Sequence, residues 1–427
     1  MARSGKKALK ILMVNKYFRP FGGVESYMFG WKKLFEEKGH SVIFFSMKHP
    51  QNLPCPQSKY FVEQVDYSDL SQPGFVEKLR MSLRIIYNLE AKRKMEALIR
   101  DEKPDIAHFQ NIYHQLSPSI IYPLVKHNIP IVMKLADYKL ICLNYRFISN
   151  HRICNACETG HYWKAIPAKC VKDSYGATIV NLVEHYAHKF LGVYKKIDLL
   201  ISPSHFLRKK HIAMGINPRQ ITTIENFKAL ETYRPHYEHD NYILFFGRVV
   251  LEKGIKTLIK AFGDLPDIPL RIAGNGPDKE LLQKFTQDQD IKNVEFVGFK
   301  TGDDLAHLIK NATFTVVPSE WYENCSNTVI EAFAYGKPVI GSDIGGIPEQ
   351  VLHGRNGYLF QPGNVQQLSG LIRKLYDSPD LVRQMGMEAR RTVETKYSDE
   401  RHYKRLLDVY RRLIAEKAGL SVGDRVR

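Results

Sequence analysis

Short apolar runs, spaced apart by glycine turns and amphipathic stretches, organise this chain from its first residues. Lys10–Val14 (KILMV) is a β-rich run, Phe21–Gly23 a glycine turn, and Val24–Lys38 an amphipathic helix closed by Gly39; Val42–Ser46 is the next β-rich run. Strand, glycine loop, helix, strand is how a doubly wound α/β domain begins. Asp105–Phe109 and Ile129–Leu135 continue it as strands, with a helix starting after Ser117-Pro118 between them, and Leu199–Ser202 and Gln220–Ile224 follow. Gly74–Arg100 is predicted as one long basic helix. Leu79, Leu83, Ile86 and Leu89 form its apolar face; Lys78, Arg84, Lys92, Arg93 and Lys94 lie on the polar one.

The alternation starts again near Asn241. Tyr242–Phe246, Leu270–Ala273, Val294–Val297, Thr313–Val317, Pro338–Gly341 and Gly357–Phe360 are predicted strands. Gly254–Phe262, Asp278–Gln287, Asp303–Ile309 and Thr328–Tyr335 are the helices among them. Glu225–Asp240, polar and carrying Pro235, is the expected linker. Val365–Ala418 is expected to be wholly helical and to cross back onto the first domain. The predicted fold is therefore α/β, with two doubly wound Rossmann-like domains facing a cleft. Their bounds are residues 1–230, with a cysteine-rich insertion at about 141–176, then 241–400, then a C-terminal helix and tail at 401–427.

Length agrees with this division, since 427 residues exceed one ordinary core. No run of eighteen apolar residues occurs, and Leu9–Val14 is too short for a signal-peptide core. The expectation is a cytoplasmic protein with reduced cysteines. Charge adds a sharper fact. Residues 1–230 hold 35 of the 62 lysines and arginines but only 18 of the 45 acids, and residues 231–427 hold 27 of each. The whole excess of +17 sits in the first half, which suits an anionic lipid surface or a polyprenyl-diphosphate carrier. No nucleic-acid motif accompanies it, so no nucleic acid is expected.

The densest chemistry lies in Val317–Ile340, VPSEWYENCSNTVIEAFAYGKPVI. Glu323 and Glu331 stand eight positions apart across a loop-to-helix junction. A helix that starts just past a strand offers unpaired backbone N–H groups to a diphosphate, and a carboxylate one turn inside it accepts hydrogen bonds from sugar or ribose hydroxyls. In FGRVVLEKGIK, Arg248 and Lys253 follow a strand end from one loop, and two cations there neutralise a diphosphate leaving group. Gly274 in AGNGP, Gly345-Gly346 before Ile347-Pro348-Glu349, and Gly22-Gly23 in the first half all fall between a strand and a helix, where bare backbone can approach a ligand.

These motifs, GRVVLEKG, AGNGP, EWYENCSNTVIEAFAYGKPVI and GGIPE, resemble those of retaining glycosyltransferases of family 4 (glycosyl transferases group 1), which have the glycosyltransferase-B fold. The resemblance covers most of the second domain in the right order. It implies that Arg248 and Lys253 bind a donor diphosphate, that Glu331 and Asn327 belong to the donor site with Glu331 on the ribose, and that Glu323 lies near the donor sugar. Gly23, with Gly22, would belong to a flexible loop against the diphosphate. It further implies front-face displacement, in which the leaving phosphate oxygen takes the acceptor proton, and no cofactor for catalysis. The first domain departs from the family. Its usual H-x-H is here His108-Phe109-Gln110, and Ala136 stands where a histidine commonly precedes Asp137. His108, His114 and Asp137 are the remaining candidates to orient an acceptor hydroxyl.

Four of six cysteines cluster as Cys142, Cys154, Cys157 and Cys170, the middle pair as C-x-x-C. In a cytosolic chain this spacing reads as a tetrahedral thiolate zinc site that shapes a core-poor insertion. An iron–sulfur cluster, a redox pair or free thiols are the alternatives. Some family members resemble the chain here too, with a DY-x-x-x-C start and a C-x-x-C insertion.

The expected function is transfer of a sugar from a nucleotide-diphosphate donor, UDP- or GDP-linked, to a glycan or lipid-linked acceptor in cell-surface polysaccharide assembly, on the inner face of the membrane. A nucleotide-sugar epimerase of the same architecture and a non-catalytic sugar- or lipid-binding protein are the other readings.

Overall fold

The structure, a computed structural model, describes residues 8–419 apart from Phe21, residues 65–74 and His151; of residues 75–79 it describes the backbone alone. The expected glycine turn at Phe21–Gly23 and the start of the basic helix at Gly74, with Leu79 and Lys78, thus fall partly outside the described residues and side chains.

Strands β1 (Lys10–Val14), β2 (Ser41–Phe45), β3 (Ile106–Phe109) and β4 (Ile131–Lys134) are followed by a small hairpin, β5 (Ile148–Ser149) and β6 (Arg152–Ile153), then by β7 (Leu199–Ser202) and β8 (Ile221–Thr223). Apart from the hairpin they form one parallel sheet in the order β2-β1-β3-β4-β7-β8. A second parallel sheet has the order β11-β10-β9-β12-β13-β14. Its strands are β9 (Ile243–Phe246), β10 (Leu270–Ala273), β11 (Val294–Gly298), β12 (Thr315–Val317), β13 (Val339–Ser342) and β14 (Gly357–Phe360). Both are doubly wound, and the second has the 3-2-1-4-5-6 order of a dinucleotide-binding sheet, whose strand order reverses between β9 and β12. Ligands lodge at that reversal, beyond the carboxyl ends of the strands.

Each sheet is buried on both faces, as parallel sheets require. Along β1, Leu12 and Val14 join one core with Met95, Leu98 and Ile120, while Ile11 and Met13 join another with Trp31 and Phe35. That second core also takes Leu406, Leu407 and Tyr410 from the C-terminal helix Asp399–Lys417. The helix crosses back because its apolar stripe completes the first sheet's cover. Tyr27 Oη–His402 Nε2 (2.8 Å) and Asn128 Nδ2 donating to the Lys417 carbonyl (2.9 Å) fix its register.

One expectation is corrected and two gain detail. The basic stretch is two helices, Phe75–Ile86 and Leu89–Glu102, because Asn88 ends one and caps the next by accepting from the Ala91 N–H at 3.0 Å. Leu83 and Leu89, assigned to its buried face, are exposed, while Ile85 is buried. Val365–Ala418 is three helices, Val365–Tyr376, Pro379–Lys396 and Asp399–Lys417, because Ser378-Pro379 and Ser398 restart the chain. Finally, the linker is not a free tether: Lys228 and Arg390 tie it to helices of the second half.

Candidate functional site

The carboxylate loop follows β12, at the reversal of the second sheet. Glu323 is buried, and its Oε1 accepts from Ser319 Oγ and Trp321 Nε1, both at 2.8 Å, and from Lys253 Nζ. Burial alone would push this carboxyl up, but Lys253 and the three hydrogen bonds outweigh it and hold it below the usual range. Lys253 closes a short 3-10 turn, and Gly254 after it has φ +70°. A Cβ there would lie 1.8 Å from the Pro318 carbonyl oxygen, so only glycine lets the lysine loop press on the glutamate loop.

The other glycines act in the same way. Gly346 donates its N–H to the Glu323 carbonyl at 2.7 Å, and a Cβ on Gly346 would meet the Asn324 carbonyl oxygen at 2.1 Å. A Cβ on Gly274 would meet the Gly247 carbonyl oxygen at 1.9 Å, and its N–H is given to Gly298 at 2.8 Å. Gly346 and Gly274, expected to turn N–H groups toward a ligand, therefore spend them within the protein and brace the loops that carry Glu323 and Arg248. Gly345 (φ +62°) packs on the Glu323 backbone with Gly346.

Helix Asn327–Ala334 begins at Ser326, whose side chain accepts from the Val329 N–H. Its first residue, Asn327, faces the start of helix Gly23–Glu37 from the other sheet: a Cβ on Gly23 would lie 3.3 Å from Asn327 Nδ2. Two positive helix ends thus converge across the cleft, with Gly22 and Gly23 exposed. A polar chain joins the sheets behind them. Lys134 Nζ donates to Asn226 Oδ1 (2.6 Å), and Asn226 Nδ2 donates to Asn327 Oδ1 (3.2 Å). Burial brings Lys134 down to about 7. Glu331, one turn inside the helix, pairs with Lys228 at 2.9 Å.

Contacts across the cleft hold the halves together. Asn324 Nδ2 donates to the Ala136 carbonyl at 2.9 Å, and Tyr138 Oη to the Tyr322 carbonyl at 3.0 Å. Glu349 of GGIPE accepts from the N–H groups of His205 (2.7 Å) and Phe206, at the start of helix His205–Ala213 in the first half. Lys228, Lys134, Asn226 and Glu349 escaped the sequence reading. Glu349 lay inside a noted motif, but its partner is over 140 residues away.

The remaining candidates separate. Arg248 is exposed and pairs with Glu252 at 3.3 Å, which also meets Arg146 of the insertion. His108 is fully buried, its Nδ1 against Tyr410 Oη and its ring beside Trp31, and burial depresses it well below the usual histidine range. It is a core residue away from the cleft. Asp137 follows β4, accepts from the Lys139 N–H at 2.9 Å, and is raised by burial against the pull of Lys16 and Lys139. His114 lies 3.6 Å from Glu184.

Cys142, Cys154, Cys157 and Cys170 line one small pocket with Asn144 and Phe147, and all six cysteines are free thiols. Burial and their mutual repulsion push Cys157 up to about 11 and Cys170 up to about 12. As they stand, no group of three or more His, Cys, Asp or Glu among the described residues is arranged to hold a metal ion.

Two Rossmann-like sheets with a cation–carboxylate site at the cleft define a glycosyltransferase-B architecture. Residues 228–392 match the family described as Glycosyl transferases group 1. An uncharacterized 42.6 kDa protein in the cps region of Klebsiella pneumoniae is 25% identical over 354 residues, covering 80% of this chain and 87% of that protein. Sucrose-phosphate synthase from Thermosynechococcus elongatus superimposes with TM-score 0.71 at 19% identity, over 96% of this chain and 100% of that one. Anabaena HepE, solved in complex with UDP-glucose, superimposes with TM-score 0.64 at 16% identity, over 95% and 100%.

Proposed function

We propose that the protein is a retaining glycosyltransferase that moves a sugar from a nucleotide-diphosphate donor to a glycan or lipid-linked acceptor in cell-surface polysaccharide assembly. One observation carries the reading: Lys253 is held against buried Glu323 in the loop that follows β12, at the strand-order reversal. The diphosphate would lie between the N–H groups of helices Gly23–Glu37 and Asn327–Ala334, with Lys253 neutralising the charge that grows as the glycosidic bond breaks. Arg248, exposed on the same loop, would turn from Glu252 to join it. Glu331 would exchange Lys228 for the ribose hydroxyls. Glu323 fixes Lys253 and lies beside the donor sugar. The leaving phosphate oxygen takes the acceptor proton, so positioning and charge stabilisation do most of the catalysis. On the acceptor side, Asp137 would orient the incoming hydroxyl. The HepE complex supports a UDP-linked donor, and the cps-region relative supports the polysaccharide setting.

The four cysteines offer the donor set of a structural zinc, which would be held by Cys142, Cys154, Cys157 and Cys170 as thiolates. Its part would be to fix the insertion beside Asp137. The basic first half would sit against an anionic membrane.

Donor hydrolysis and transfer, followed with a panel of UDP- and GDP-sugars, test the function, and the anomeric configuration of the product tests retention. Nucleotide binding with no turnover of any donor would favour a non-catalytic binding protein. Conversion of donor without an acceptor into an isomeric nucleotide sugar would favour an epimerase.

A further inference from the structure

Helix Tyr175–Phe190 is built inside out. Its buried residues are Thr178, Asn181, Glu184 and His188, all polar. Its exposed residues include Tyr175, Ile179, Val183, Tyr186 and Phe190, the last 91% exposed, with Leu191 just beyond. Their spacing places them along one outward stripe. Leu83, on the neighbouring helix Phe75–Ile86, is exposed as well.

The buried polar face has its own explanation. Lys139 Nζ donates to Asn181 Oδ1 and to Glu184 Oε2, each at 2.8 Å, and His188 Nε2 meets the Ile86 carbonyl oxygen at 2.9 Å. Lys139, paired with Asn181 and with one oxygen of Glu184, anchors the inner face and leaves the outer one unaccounted for. In water that outer face costs free energy for every apolar side chain it holds out.

Charge says what covers it. Lys169 and Lys172 are exposed before the helix, with one exposed acid, Asp173, beside them, and Lys189, Lys195 and Lys196 are exposed at its end. Glu184 is the helix's one acid, and it is buried. An apolar stripe between two lysine clusters matches a bilayer with anionic headgroups: apolar side chains enter the acyl boundary while lysines reach the phosphates. A second copy of the same face would bring like clusters together.

We propose that helix Tyr175–Phe190 is the membrane-docking face of the protein, lying in the plane of an anionic bilayer. This rests on the reading of the basic first half as membrane-facing and moves the contact away from the helices at residues 75–102. It needs neither donor nor turnover, so it stands or fails apart from the transferase reading.

The test is co-sedimentation of the full chain, without nucleotide sugar, with vesicles of phosphatidylcholine alone or with about a third phosphatidylglycerol. The wild type is expected to sediment with the anionic vesicles only. Ile179→Glu with Val183→Glu and Phe190→Glu should lower the bound fraction at least about tenfold. If that variant misfolds, Phe190→Ser alone and Lys169→Gln with Lys172→Gln and Lys189→Gln, all at exposed positions, should each weaken binding while melting like wild type. Wild type left in the supernatant, or variants that bind equally, would overturn the proposal. A wild-type dimer by light scattering that the apolar variants dissolve, with no vesicle binding, would assign the face to a second copy instead.

Discussion

Lys253 Nζ donates to the Oε1 of Glu323, seventy residues further along the chain, and the same oxygen accepts from Ser319 and Trp321. Removing either partner therefore has a distinct signature. Lys253→Ala leaves a buried carboxylate without its cation and should cost about 3 kcal/mol. Transfer should fall at least about 100-fold. Glu323→Gln keeps a neutral acceptor for Ser319 and Trp321 and should cost less stability while still impairing transfer. Urea unfolding beside product formation checks both; full activity in Lys253→Ala would remove it from the site.

Glu331 waits on Lys228 at 2.9 Å, so donor binding is expected to exchange one partner for another. Glu331→Ala should weaken donor binding about tenfold or more, because a carboxylate that accepts two hydroxyls is lost. A thermal-shift titration with UDP and UDP-sugars reads this directly, since a ligand bound to the native state raises Tm. An undiminished shift in the variant would place the nucleotide elsewhere.

Glu349 caps helix His205–Ala213 from the opposite sheet. Glu349→Ala should cost about 1 kcal/mol, the worth of a helix cap. Combined with Asn324→Ala, which frees the Ala136 carbonyl, it should open the cleft and raise the radius of gyration in small-angle scattering. No change in scattering, together with wild-type stability, would mean that these contacts do not hold the halves together.

Acid should destabilise the fold well above the carboxylate range. Burial lowers His211 and His185 to about 4 and His402 to about 3, from an ordinary 6.5, with nearby lysines adding to the effect at His185 and His402. The unfolded chain then binds protons that the folded chain refuses. This stability is complete above pH 6.5 and is lost as pH falls toward 4, by up to about 1.4 kcal/mol per pH unit for each histidine. Urea midpoints at pH 7.5, 6 and 5 should fall in that order; equal midpoints would contradict the burial of these rings.

Elemental analysis of purified protein should find about one zinc per chain. Cys154→Ser with Cys157→Ser should lose the metal and expose the insertion to proteolysis. Less than one zinc per two chains, with no iron, would count against the four-cysteine site.

Much of the fold was legible because its signals are local. Strand runs such as KILMV and glycine–helix junctions announce themselves within a few residues, and both sheets were readable from them. The same locality made Glu323, Lys253 and Glu331 visible as residues beside a helix start. It failed at Asn88, where a single cap splits a continuous helical pattern, and at His108, whose direction depends on Tyr410 of a helix some three hundred residues away.

The chain by itself determined the two doubly wound domains, the carboxylate segment and the cysteine cluster, since each rests on residue type and spacing. Tertiary packing alone decided the partners: Lys228 for Glu331, the Glu349 cap across the cleft, and glycines that brace loops where N–H groups for a ligand were expected. It also decided which face of Tyr175–Phe190 is inside. Apolar and polar positions alternate there with helical period whichever side is buried, and partners distant in sequence, Lys139 from the loop after β4 and the Ile86 carbonyl, turned the polar side inward.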